Sequence, residues 1–556
     1  AITIVGLAGA ATTIIDGNGA GPVVTCNSFE GSNTVLQGLT IRGGRTQQSG
    51  AGMLIALASP TVISCLFDDN RAWISGGGIS MAASSASIID CTFTQNHANN
   101  SVQNNAGTGG AISIIGGSPE INGCTFTNNT ARFHGGALSV ASGATPDIED
   151  CTFSTNVLLV SGHGLVGVAP AMGSAIFVNA SNPTFGGCEV SGNVVRARGA
   201  IGVYGGEASF VGCTISDNIS HATKGATGGA MYVINNANVS LLGCQFTGNQ
   251  SREDGGALKI VSSTVNATLC GFLENEGSTW GGGAIGVNNG ATATFAGCTF
   301  VDNSSGTRAG AIYAIDSTLT LGGCTFATNH AATQGGAIYA QQTDISVDSC
   351  TFDGNISAGA GMIQGGGAIL YWGGVDTVAT IHNSTFSGNS ALLGGAVRLQ
   401  GETNITDCVF EANHADQEGG AIASEIVAQL NIRNSQFLDN TTDGTGGAIV
   451  CNAESRVVGC LFSGNSAASG GAIFADEGLY AYSRFYGCRF SDNTASTSGG
   501  AVEVGHGGFI WLANCVIENN TAPFGKGAVS VVTPVATMLN MVNCAVVNNS
   551  GGGLYV

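Results

Sequence analysis

Thiols, imidazoles, carboxylates and sequon asparagines are the side chains of this sequence whose types and spacing could do chemistry. Sixteen of the 18 cysteines head a recurring phrase, Cys-x-Phe-x-x-Asn in its full form, while Cys26 and Cys451 stand outside it. The phrase is clear at Cys91, Phe93 and Asn96, at Cys124, Phe126 and Asn129, at Cys244, Phe246 and Asn249, and at Cys324, Phe326 and Asn329. Two chemistries are open to such thiols: burial as small hydrophobes, or disulfides between neighbouring repeats in a secreted chain. Parallel strands aim equivalent Cβ atoms alike, which makes the disulfide torsion hard to reach. No CxxC pair or Cys/His cluster points to zinc.

Asn-His-Ala recurs at His97, His330 and His414, on repeats too far apart to share a metal, so solvated corners are expected there. Polysaccharide cleavage requires a carboxylate pair, or a strong base beside a cation. The chain has three lysines (Lys224, Lys259, Lys526), and no slot is expected to stack Asp, Arg and His through successive repeats. Acids that precede the phrase asparagine (Asp69, Asp217, Glu274, Asp302, Asp439, Asp492) are scattered and read as solvated turn residues. No cofactor is expected; calcium at adjacent acidic corners is the exception to test. Of 14 Asn-x-Ser/Thr sequons, Asn99, Asn128, Asn179, Asn238, Asn266, Asn383 and Asn404 are candidates for glycosylation, given a eukaryotic secretory route. Asn218, Asn249, Asn303, Asn355 and Asn440 are phrase asparagines and are expected to be buried.

The elements that must carry these residues follow from their period. The Cys slot recurs 18 times from Cys65 to Cys544, with Ser384 and Ser435 in place of Cys in two copies. That is about 28 residues per repeat, a solenoid period. Cys and Phe, two apart on a strand, share one face, and the residue between them, often Thr, takes the other. The phrase is followed by Gly-Gly-Ala-aliphatic, as at Gly255-Gly256-Ala257-Leu258 and Gly335-Gly336-Ala337-Ile338. These features predict an all-β, right-handed parallel β-helix of about 18–20 coils, with three short strands per coil. Stacking coils turns each slot into a column: Phe and Cys inside, Asn at a corner where its tolerance of left-handed backbone is useful. Residues 1–556 read as one continuous domain, with early, less regular coils over 1–60 and full repeats over 61–556.

Composition narrows the class. A net charge of −20 with only 16 Lys and Arg argues against nucleic acid and anionic lipid as partners. The uncharged stretch Val157–Val178 is long enough to span a bilayer, but its Gly173-Ser174-Ala175-Ile176 falls in the glycine slot. It reads as a coil with an enlarged loop, so no membrane span is expected. On the strands that carry the Cys-x-Phe phrase, a Thr-x-Thr array of the kind that binds ice or crystalline polymers is limited to Thr92/Thr94 and Thr125/Thr127.

The joint recurrence of Phe-x-x-Asn and Gly-Gly-Ala-aliphatic resembles the repeats of the chlamydial polymorphic outer membrane proteins, over nearly all of residues 60–556. The resemblance implies an extracellular or cell-surface β-helix that serves adhesion or forms a structural stalk. Departures are Ile215, Ile517 and Val546 for Phe, and a softened glycine pair at Arg198-Gly199-Ala200 and Lys526-Gly527-Ala528. The C-terminal membrane barrel of an autotransporter is not in the sequence.

Most gaps from the phrase asparagine to the next Gly-Gly hold five residues, but those after Asn96, Asn156, Asn218 and Asn355 are longer. All four enter at one corner, and those after Asn96, Asn156 and Asn218 are expected to contact another subunit or a glycan. The chain opens in strand-like Ala1-Ile2-Thr3-Ile4-Val5 and stops at Gly553-Leu554-Tyr555-Val556. Uncapped ends are expected of a segment of a longer polypeptide or of a subunit that packs end to end into a filament. The expectation is a non-catalytic extracellular structural or adhesive rod, with self-association or a surface glycan or protein as partner. A polysaccharide-active lyase or glycoside hydrolase is the alternative.

Overall fold

The computed structural model describes residues 2–99, 107–160, 171–196, 198–220, 227–279, 281–361, 364–374, 376–425, 428–475, 482–505, 507–523, 525–532 and 537–555. Among the described residues every regular element is a β-strand. The chain divides into two compact units. One is Ala1–Thr279 with Gly283–Gly286 and Gly290–Ala293; the other is Trp280–Gly282, Val287–Asn289 and Thr294–Val556.

Each unit is a parallel β-helix. In the first, Thr92–Thr94 pairs in parallel with Leu66–Asp68 and Thr125–Thr127, so Phe67, Phe93 and Phe126 occupy one register position. In the second, Thr325–Ala327 pairs with Thr299–Val301 and Thr351–Asp353 in the same way. The early segment obeys the same grammar: Thr3 faces Val35, Ile14 faces Thr40 and Val24 faces Met53.

Three faces form as expected, but one of them is split. A coil such as Ile79–Ala98 carries the segment after Gly-Gly-Ala (Ile79–Ala82), a second segment (Ser87–Ile89), the Cys-Phe strand (Thr92–Thr94) and a two-residue strand after the asparagine (His97–Ala98). The first two belong to one face bent in the middle. At Ile201–Val211 they run on as a single 11-residue strand.

The interior is a set of columns. Phe67, Phe93, Phe126 and Phe153 stack with centroids 4.8, 4.9 and 4.6 Å apart and planes within 8°. Phe326, Phe352, Phe386 and Phe410 do the same in the second unit at 4.7–4.8 Å. Spacings this close to the strand repeat show that coil stacking itself sets the ring offset. In the first unit the column is interrupted twice in succession, by Val190 and Ile215. Those two coils carry Phe185 and Phe210 on the neighbouring strand, stacked at 4.6 Å, where other coils place Ile148 and Leu241. Ring volume lost from one column is restored across the core, as close packing demands.

Coil length varies without disturbing these columns. Successive phrase asparagines lie 24 residues apart at Asn389–Asn413 and 37 apart at Asn156–Asn193. The two softened glycine pairs are deletions: Gly199 and Gly527 keep the positive φ of the first glycine (both 60°), and Ala follows directly. In an ordinary coil the second glycine has no room for a side chain, since a Cβ on Gly110 would sit 2.1 Å from the Gly136 carbonyl oxygen. Ser174 holds this second position in the coil that precedes Gly199-Ala200, the coil whose second glycine is missing.

Candidate functional site

The repeat's polar signature faces inward. Asn96 Oδ1 accepts from the Asn70 backbone N–H at 3.2 Å and from Asn70 Nδ2 at 3.0 Å. Asn96 Nδ2 donates to Asn129 Oδ1 at 3.1 Å and to the Phe67 carbonyl at 2.9 Å. Asn129, Asn249 and Asn329 make the equivalent bonds to Asn156, Asn275 and Asn355, and all are fully buried. Each amide thus satisfies backbone groups that a corner would otherwise orphan. The left-handed residue at this corner is the one before the asparagine, which corrects the expectation that Asn itself adopts it. Gln95, Asn128, Gly248 and Thr328 have φ between 53° and 63°. The kink there turns the next side chain into the core.

The Cys corner is built alike. Asp90 has φ 52°, and Cys91, Cys124, Cys244 and Cys324 follow left-handed residues and are buried. The Cys91 N–H donates to Cys124 Sγ at 3.4 Å, and Cys91 Sγ donates to the carbonyls of Ile89 (3.2 Å) and Val62 (3.6 Å). Thiols here work as small hydrogen-bonding groups, and Ser384 and Ser435 take over the same bonds. Where no cysteine flanks a thiol the cause of its inertness is plain: burial pushes Cys408 and Cys451 up to about 11.

The remaining candidates lie outside. Asn99, Asn128, Asn238, Asn266 and Asn383 are exposed, while Asn179 and Asn404 are half-buried; Asn218, Asn249, Asn303, Asn355 and Asn440 are buried. The acids before the corner asparagine all sit in left-handed turns and are exposed, except half-buried Asp69. Within each unit an uncharged residue follows on the next coil: Gly248 after Asp217, Gly464 after Asp439, and Thr328 after Asp302, to which it donates at 2.5 Å. Among the described residues no group of three or more His, Cys, Asp and Glu is placed to hold a metal. No helix among them is long and apolar enough to cross a membrane, and Val157–Val178 begins and ends in strands. Its middle, 161–170, lies outside the described residues, as do 100–106 and 221–226 of the other long gaps. The roots of these gaps, at His97–Ala98, Val157–Leu158 and Ile219–Ser220, belong to one face, as their single entry corner requires.

That face also carries a run of basic and imidazole side chains, with no acid in the slot along that run. Arg45, Arg71, His97 and Thr130 are register partners on four successive coils. They line an open groove of about 680 Å³ together with Trp73 and Leu159. Asp69 lies beneath, bonded to Arg45 Nη2 at 2.8 Å and Arg71 Nε at 3.2 Å. Partial burial raises the Asp69 carboxyl, but the two guanidinium groups outweigh it and hold it below its ordinary value. His97 is half-buried, and burial, with Arg71 beside it, lowers its imidazole below the ordinary value. Arg71 and His97 each follow a phrase asparagine, so their alignment could have been read from the repeat. Arg45 could not, because Gly44 replaces the asparagine before it.

Comparison with known families agrees with this geometry. The family of the right-handed β-helix region matches residues 98–271 and 367–556, about two thirds of the chain. The chain therefore belongs to the right-handed β-helix family. Residues 323–341, which contain Cys324, Phe326, Asn329 and the Gly335-Gly336 pair, also match the Chlamydia polymorphic membrane protein repeat. No curated protein matches the chain as a relative.

Proposed function

We propose that this protein is a non-catalytic, extracellular or cell-surface β-helix with a structural or adhesive role, acting through self-association or a surface glycan or protein ligand. The observation that carries this reading is the direction of the repeat's polar groups. Asparagine amides and thiols, the side chains repeated most often, bond one another and the backbone inside the coils. They hold a scaffold together and meet no substrate. The match to a chlamydial membrane-protein repeat supports placement at a cell surface. Beside the groove lined by Arg45, Arg71 and His97, the Asp69 carboxylate is tied to both arginines, which leaves it a poor general base.

The test combines two measurements on the full chain. Negative-stain microscopy is expected to show rods or filaments, and incubation with neutral and acidic polysaccharides is expected to release no new sugar ends. Sustained release of unsaturated or reducing ends would establish the polysaccharide-active alternative instead.

A further inference from the structure

The groove lined by Arg45, Arg71 and His97 joins two guanidinium groups to a partly exposed tryptophan. Its lining crosses four coils, about 14 Å at the strand repeat, so it suits an extended chain lying along the coil-stacking direction better than a small globular ligand. Two guanidinium groups share one carboxylate, leaving a local positive excess in a molecule of net charge −20. Arg45 and Arg71 keep 36% and 56% of their side-chain surface open. Planar guanidinium forks match carboxylate or sulfate groups better than any other side chain.

Trp73 supplies the second half of the recognition. The chain has only four tryptophans, and Trp73 is 39% exposed beside these arginines. The part of the indole left open beside the groove offers a flat apolar platform to the C–H face of a sugar ring. A nucleic acid strand would call for a longer basic track with successive stacking platforms, and this groove offers two arginines and one tryptophan.

We propose that this groove binds an acidic polysaccharide, with Trp73 under a sugar ring and Arg45 and Arg71 on its carboxylate or sulfate groups. The assignment deepens the adhesive reading above and rests on it. The experiment is a calorimetric titration of the full chain with polygalacturonate, with its methyl-esterified form, and with a single-stranded oligonucleotide of equal charge. Polygalacturonate is expected to bind, the ester form to bind about tenfold more weakly or less, and the oligonucleotide not to compete. Trp73→Ala and Arg71→Gln are each expected to weaken binding about tenfold with unchanged circular dichroism, while Trp511→Ala leaves it unaltered. Equal binding by the Trp73→Ala chain, equal affinity for the ester, tighter binding of the oligonucleotide, or no binding at all would overturn the assignment. Sugar-end release in the same samples is a separate readout: it would reject the non-catalytic role and leave the groove's ligand standing.

Discussion

The Cys350 backbone N–H donates to Ser384 Oγ at 3.0 Å, in the place where the Cys324 N–H donates to Cys350 Sγ at 3.4 Å. A hydroxyl thus does the work of a thiol in the same column. Cys408→Ser is therefore expected to fold with little loss, whereas Cys408→Ala removes the bonds to the Ile381 and Thr406 carbonyls at a buried corner and costs about 1–3 kcal/mol. The Cys408 thiol, raised to about 11 by burial, is expected to resist iodoacetamide at pH 8 until the chain is unfolded. Peptide mass spectrometry before and after denaturation reads this directly; rapid native alkylation would contradict it.

Asn156 accepts from the Asn129 N–H at 3.0 Å and donates to the Phe126 carbonyl at 2.9 Å. Truncation to Ala strips both coils of these bonds, and the expected destabilisation is about 2–4 kcal/mol. Asn156→Asp retains the acceptor but loses the donors and buries a charge, so it is expected to be worse than Ala. Hydrogen exchange at Asn129 and Asn193 is the measurement, because local opening is better defined than a global transition in a repeat protein.

The exchange of ring volume between Phe185 and Val190 gives a second core test. Val190→Phe alone overfills the coil and is expected to cost about 1–3 kcal/mol. Phe185→Ile alone leaves a cavity. The double variant restores the arrangement of neighbouring coils and is expected to recover most of either loss. A double-mutant cycle with no coupling would refute the compensation.

Two histidines should give opposite pH dependences. His134 is 2% exposed, stacks on Phe177 at 4.2 Å, and is lowered by burial to about 4. It takes a proton more readily when unfolded, so its contribution is complete above about pH 6.5 and declines as pH falls toward 4, by about 3 kcal/mol. His134→Phe should flatten that dependence. His382 bonds Asp348 at 2.7 Å and faces Asp407 at 3.5 Å, which raise it. Its contribution is complete below about pH 6.5 and is lost as pH climbs through the raised value. His382→Gln should remove this alkaline loss, and exchange rates near each site against pH distinguish the two.

The columns were legible because each rests on a residue type that recurs at a fixed place: Phe93, Asn96 and Cys91 need only the period and the two-residue alternation of a strand. What was not legible has no fixed residue. The bend that splits one face falls at Ala83 in one coil and at Ser142 in another, so no letter marks it. Val190 and Phe185 look unremarkable apart, and only shared volume connects them. The left-handed corner residue was misplaced because Asn is common there for two reasons, conformational at Asn128 and hydrogen-bonding at Asn129. The groove was legible only in part: Arg71 and His97 follow phrase asparagines, but Arg45 follows Gly44, in a coil without that asparagine.

The spread of coil lengths from 24 to 37 residues has an evolutionary consequence. The additions after Asn96, Asn156 and Asn218 follow the two-residue strand, beyond the last column, so growth there never has to be renegotiated with the interior. That corner is a socket: new peptide can be spliced in, tried against the surroundings and discarded while the scaffold beneath it stays the same.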